Sequence, residues 1–221
     1  MFKQAKQFSV TLLMLVILTL ANNGLAHALT YQITVDTSSL YGTTGFLDLQ
    51  LNPGNLNAPA AQALINGFST DGTLGAVSLG NSWGNYSGTL PGAVTLVNSA
   101  LTDYDQAITY GNTLTFNVTF SGAFLTASCS GSCIDSAFIL SLFDGNYASL
   151  LSNDQLNGSL VTFQLPPGGG ETYTNFGSPA SVAGVAAVPL PPAFYLFMSG
   201  LGLILWVKRG SMPSSTLFRI G

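Results

Sequence analysis

Between Leu29 and Ala187 the chain contains no lysine, no arginine and no histidine. Its five basic residues stand at Lys3, Lys6, Lys208, Arg209 and Arg219, and its single histidine is His27. The middle of the chain therefore has nothing with which to release counterions from phosphates, which excludes nucleic acid as a partner. Anionic small molecules and phosphorylated substrates are disfavoured on the same ground. Ser–His, Cys–His and lysine-based nucleophile activation cannot be assembled there, nor can a histidine metal site or an internal salt bridge. The nine carboxylates, Asp36, Asp48, Asp71, Asp103, Asp105, Asp135, Asp144, Asp154 and Glu171, all fall in this basic-free stretch. Its formal charge is thus −9, against −4 for the whole 221-residue chain. With charged residues at only 6% overall, its surface is solvated mainly by Asn, Ser, Thr and Gln.

The two ends carry what the middle lacks. Lys3 and Lys6 form a basic start, Val10 to Ala21 an apolar core, and Ala26-His27-Ala28 a small-x-small cleavage pattern. Residues 1–28 therefore read as a secretory signal peptide cleaved after Ala28, with an uncleaved anchor as the alternative. At the other end Ala193 to Val207 is uncharged and stops at the basic pair Lys208-Arg209. Fifteen residues make only about 22 Å of helix against a hydrocarbon core of ~30 Å. Starting the helix at Pro191 or Pro192 and letting Lys208 and Arg209 snorkel to the headgroups lengthens the span. Phe194, Tyr195, Phe197 and Trp206 mark its two interfaces. Both apolar ends keep their positive charges on the cytoplasmic side, which places residues 29–187 across the membrane.

Val188-Pro189-Leu190-Pro191, a short apolar helix with Gly200 and Gly202, and the pair Lys208-Arg209 together resemble the PEP-CTERM sorting signal of Gram-negative bacteria, in its Val-Pro-Leu-Pro variant. The resemblance covers residues 188–209. It implies recognition by an exosortase-type membrane protease after a signal peptidase has removed the leader, and an address at the cell surface or in the extracellular polysaccharide matrix. Gly210 to Gly221 continue past the basic pair as a short cytoplasmic tail, whereas such signals normally end at the pair. The exported part is similar to one group of such proteins in Val35-Asp-Thr-Ser-Ser-Leu40, Gly45-Phe-Leu-Asp-Leu-Gln-Leu-Asn-Pro-Gly54, Phe68-Ser-Thr-Asp-Gly72 and Tyr110-Gly-Asn-Thr-Leu-Thr-Phe-Asn-Val-Thr-Phe120. That likeness implies a shared body plan and no chemistry.

Residues 29–176 are long enough for one domain with a substantial core. They are poor in helix formers and rich in Gly, Thr, Ser, Asn, Val, Phe and Tyr, a composition of strands and tight turns. Tyr31, Ile33 and Val35 alternate with polar neighbours, and apolar runs recur at 74–79, 93–97, 107–110, 114–120, 137–143 and 160–165. Turn signals such as Asn52-Pro-Gly54, Asp71-Gly72 and Pro166-Pro-Gly-Gly-Gly170 separate them. This spacing predicts an antiparallel, jelly-roll-like β-sandwich. A short helix is expected near 58–66, where alanines cluster, and a flexible stalk at 177–187, which is uncharged and made mostly of small residues.

Candidate sites are few. Cys129-Ser-Gly-Ser-Cys133 in an exported chain predicts a disulfide. A metal site there needs two further ligands, and a redox pair needs a cation to hold a thiolate. Asp103-Tyr-Asp105, if on a strand, puts two carboxylates on one face. The readings open to them are solvated turn aspartates, half of a weak Ca²⁺ site, or one side of a glycoside-hydrolase carboxylate pair. Trp83, Tyr86, Tyr104, Tyr110, Tyr147 and Tyr173 are either core and cross-strand partners or a sugar-stacking face. The expectation is a non-enzymatic exported surface or biofilm-matrix protein without an obligatory cofactor. A carbohydrate-binding module and a carboxylate-based glycan hydrolase are the alternatives.

Overall fold

The computed structural model describes residues 28–129 and 131–185. Alternation of apolar and polar side chains builds twelve strands: β1 (Leu29–Asp36), β2 (Thr44–Asn52), β3 (Gln62–Thr70), β4 (Thr73–Val77), β5 (Asn85–Gly88), β6 (Val94–Val97), β7 (Thr102–Thr109), β8 (Thr113–Ser121), β9 (Ser136–Asp144), β10 (Ser159–Leu165), β11 (Thr172–Asn175) and β12 (Ala180–Val185). They form two six-stranded antiparallel sheets. Sheet A has the order β12-β1-β8-β3-β6-β5, and sheet B has β11-β10-β9-β2-β7-β4. The first four strands alternate between the sheets, so each chain reversal also crosses the core.

The sheets meet face to face as a β-sandwich, the expected class. Ile33, Val35, Phe116, Val118 and Phe120 from sheet A face Leu47, Leu49, Leu51, Phe138, Leu140 and Phe163 from sheet B, all fully buried. Phe120 lies 5.1 Å from Phe163 and 5.6 Å from Phe138, ring centre to ring centre, within the range in which tilted and edge-on aromatic pairs attract. Two tyrosines enter the core with their hydroxyls satisfied. Tyr110 donates towards the carbonyls of Phe46 and Phe143 at 2.8 and 2.9 Å. Tyr104 donates to Gln106 Oε1 and accepts the Leu90 amide at 3.0 Å.

Two expectations are corrected. The segment expected to be helical near 58–66 instead leads into β3. Ala61, Ala63 and Ile65 are buried while Gln62 and Leu64 are partly exposed, and a period of two in burial is a strand's, whatever the alanines prefer. The stalk expected at 177–187 is largely strand, since β12 pairs with β1 from Thr30↔Val185 to Val35↔Ala180. Sheet formation there satisfies the outer backbone groups of β1, which a flexible stalk would have left open. The β-body thus extends to Val185. The expected signal peptide up to residue 27, with Ala26, the expected sorting motif Val188 to Pro191, the expected membrane helix, the pair Lys208-Arg209 and the expected tail lie outside the described residues. Within the described residues, no helix is long and apolar enough to cross a membrane.

Candidate functional site: a carboxylate cluster on the outer face of sheet B

β2 and β7 are neighbours with Asp48 opposite Asp105 and Gln50 opposite Asp103. Because Leu47, Leu49, Tyr104 and Gln106 point into the core, the period of two sends Asp48, Gln50, Asp103 and Asp105 to the outer face. Three carboxylates therefore occupy adjoining positions on one face, with no Lys, Arg or His among the described residues to pair with them. Ser141 of β9 stands opposite Asp48 on the other side. Two loops cover the group. The β4–β5 loop brings Asn81, Ser82 and Trp83, whose backbone bridges Asp103. The β9–β10 loop brings Tyr147, stacked on Phe46 with ring centres 4.5 Å apart. Asp48 and Asp105 are left only 3% and 2% exposed.

Donors reach some of the oxygens. Gln50 Nε2 donates to Asp48 Oδ2 at 2.9 Å. Tyr147 Oη donates to Asp105 Oδ2 at 2.6 Å, and Asn81 Nδ2 donates in turn to Tyr147 Oη. The Asp105 amide donates to Ser82 Oγ at 2.9 Å, which fixes the loop on the strand. Yet Oδ1 of Asp48, of Asp103 and of Asp105 is buried without an N–H or O–H donor. Burial and the charge of Asp103 push the Asp48 carboxyl up, against the opposing pull of Gln50. Burial likewise raises Asp103 and Asp105, with Tyr147 pulling Asp105 back. Burial and the neighbouring carboxyl of Asp103 thus favour the neutral acid at Asp48, since like-charged neighbours cannot both ionise cheaply.

The sequence brought Asp103 and Asp105 together but not Asp48. Its partner positions are 55 and 57 residues away, and only strand register joins them. No group of three His, Cys, Asp or Glu side chains among the described residues is arranged to hold a metal ion. Asp71 is a different case. It accepts the Asn112 and Thr113 amides at 2.8 and 3.0 Å, and its carboxyl is lowered chiefly by the Asn112 side chain, which marks a turn-holding residue.

The aromatic set divides. Tyr104 and Tyr110 are core, with Tyr86 edge-on to Tyr104. Trp83 and Tyr147 are half-exposed beside the carboxylates, and Tyr173 lies far off beside Tyr31 and Phe163. A shallow cavity of about 250 Å³ adjoins the cluster, lined by Phe46, Gly75, Ala107, Thr109 and Gly145 among others. Gly75 makes room for it: a Cβ there would sit 2.9 Å from Ala107 Cβ. Cys129 and Cys133 are joined by a disulfide with S–S 2.06 Å, in the long β8–β9 connection. So short a ring removes little chain entropy and serves to pin its turn. Comparison with protein-family models, with curated proteins and with solved structures finds no match to this chain.

Proposed function

We propose that this protein is a non-enzymatic surface or extracellular-matrix protein with a jelly-roll-like body. Its N-terminal signal exports it, and an exosortase-type enzyme recognises its C-terminal signal. The observation that supports this reading is the pairing of Thr30 with Val185. The body's first and last strands are neighbours, so the chain enters and leaves the body at one end, an arrangement that suits a domain delivered and held by its termini. Intact mass of the protein from its native envelope tests the proposal. A species beginning at Leu29 and ending upstream of Lys208 is expected; one that keeps both Met1 and Gly221 overturns it.

A second reading is favoured by the cavity lined by Phe46, on whose ring Tyr147 stacks: a surface module for neutral glycans, matrix exopolysaccharide among them. Aromatic rings stack on sugar faces, and a body of charge −9 repels acidic polysaccharides. Saturable binding of a neutral glycan that disappears in Tyr147→Ala supports it, and no binding across a neutral panel removes it. Calcium at Asp103 and Asp105 is checked by melting: a midpoint unmoved by millimolar Ca²⁺ at pH 8 eliminates it.

A further inference from the structure

Two Asn-Gly pairs fall among the described residues, Asn66-Gly67 and Asn157-Gly158. An asparagine amide is most open to attack by the backbone nitrogen that follows it when that nitrogen belongs to glycine, which has no side chain to obstruct the approach. The fold treats the two pairs differently. The turn around Asn157 is held at three points. The backbone and side-chain nitrogens of Asn157 donate to Asp154 Oδ1 and Oδ2 at 3.2 and 3.3 Å, and the Gly158 amide donates to the Asp154 carbonyl at 2.9 Å. Gly158 is also buried, packed so closely that a Cβ there would come within 2.9 Å of Ser149 Cβ.

Asn66 is not restrained in this way. β3 pairs with β6 only from Gln62 to Ile65, and its register with β8 breaks between Asn66 and Ser69. Such a bulge interrupts the ladder and its extended geometry. Gly67 stands in it, exposed and left-handed at φ 61°. Ala63 and Ile65 point into the core, so Asn66 points outward. Among the described residues no hydrogen bond fixes its side chain: the hydroxyl pairs of this face, Thr30 with Thr119 and Thr34 with Thr115, leave it out.

We propose that Asn66 is a site of spontaneous deamidation, with water as the only co-reactant. The Gly67 backbone nitrogen gives up its proton and bonds to Asn66 Cγ. The Cγ–Nδ2 bond breaks, and Nδ2 takes up a proton and leaves as ammonia, so that a five-membered succinimide remains. Water then opens the ring. Addition at Cγ yields aspartate at that position, and addition at the backbone carbonyl carbon yields isoaspartate, with the chain rerouted through the former side chain. Either product brings a carboxylate into a row of neutral amides, Gln32, Asn117 and Asn66, where Asn117 Oδ1 is already buried without a donor.

Ageing the full-length protein in detergent at pH 8 tests this. Samples are quenched in acid and digested with pepsin, because the body has no Lys or Arg for trypsin, and the peptides are read by mass. In the folded protein the peptide containing Asn66 is expected to exchange NH2 for OH several-fold faster than the one containing Asn157. Part of the product should accept a methyl group from an isoaspartyl methyltransferase. In urea the two pairs should convert at similar rates, and Asn66→Gln should abolish most of the ammonia released by the folded body. Equal or faster conversion at Asn157 in the folded protein overturns the proposal, as does an intact Asn66 after urea-unfolded chains have converted there.

Discussion

The outer faces of the two sheets solve one problem in opposite ways. Sheet A presents neutral side chains. Thr30 meets Thr119 at 3.0 Å and Thr115 meets Thr34 at 3.2 Å, hydroxyl to hydroxyl, with Gln32 opposite Asn117. Sheet B, on the same fold and with the same absence of cations, places three carboxylates side by side and hides them under Trp83 and Tyr147. On sheet A the polar groups are uncharged and the face stays open; on sheet B the clustered acids are largely buried, partly hydrogen-bonded and covered by two loops.

That contrast yields tests of decreasing size. With its carboxyl raised, Asp48 holds a proton in the folded state that the unfolded chain releases in the ordinary carboxylate range near pH 4. Folded carboxyls raised above their unfolded values make stability greatest on the acid side, and it falls as pH rises through neutrality. The slope expected is up to ~1.4 kcal/mol per pH unit per proton, or roughly 2–4 °C of melting midpoint per kcal/mol in a domain of this size. Asp48→Asn supplies the missing donor without a charge, so thermal melts from pH 5 to 9 should lose most of that slope and show a higher midpoint at pH 8. An unchanged slope would refute the raised Asp48 carboxyl.

Asn117→Asp carries the experiment to sheet A. A half-buried carboxylate placed there should cost ~1–3 kcal/mol at pH 8 and less at pH 5, transplanting the pH dependence of sheet B; equal cost at both pH values would show that the two faces do not differ in this way. Next in size, Tyr147→Phe removes the 2.6 Å donor to Asp105 and should cost ~1 kcal/mol in denaturant unfolding at pH 8. Thr34→Val should stay within ~0.5 kcal/mol at any pH, and a larger loss would mean that the hydroxyl ladder of sheet A is more than a solvated surface.

Much of the sandwich was legible because alternation is local. Leu114 to Phe120, Ala137 to Phe143 and Leu160 to Leu165 each coincide with a strand, β8, β9 and β10. The strands that escaped notice are those whose pattern is weak. β5 and β11 have four residues each with little burial. β12 is built mainly of small residues, and β3 has alanines where a helix would also accept them. The carboxylate cluster was half visible. Asp103 and Asp105 declare themselves by their spacing of two. Asp48 sits in Phe46-Leu-Asp-Leu-Gln-Leu51 like any solvent-facing residue of a strand, and its partner is set by long-range register. The adjacency of the body's two ends follows from the same register, which no stretch of twenty residues reveals.

β1 is flanked by β8 and β12, so a chain synthesised from its N-terminus keeps one edge of its opening strand bare until almost the last residue of the body has emerged. Until then that edge is a template for any other strand, including the same strand of a sister molecule. Completion of a single copy is therefore decided by the six residues of β12, and a chain cut before Ala180 would be expected to pair with its like.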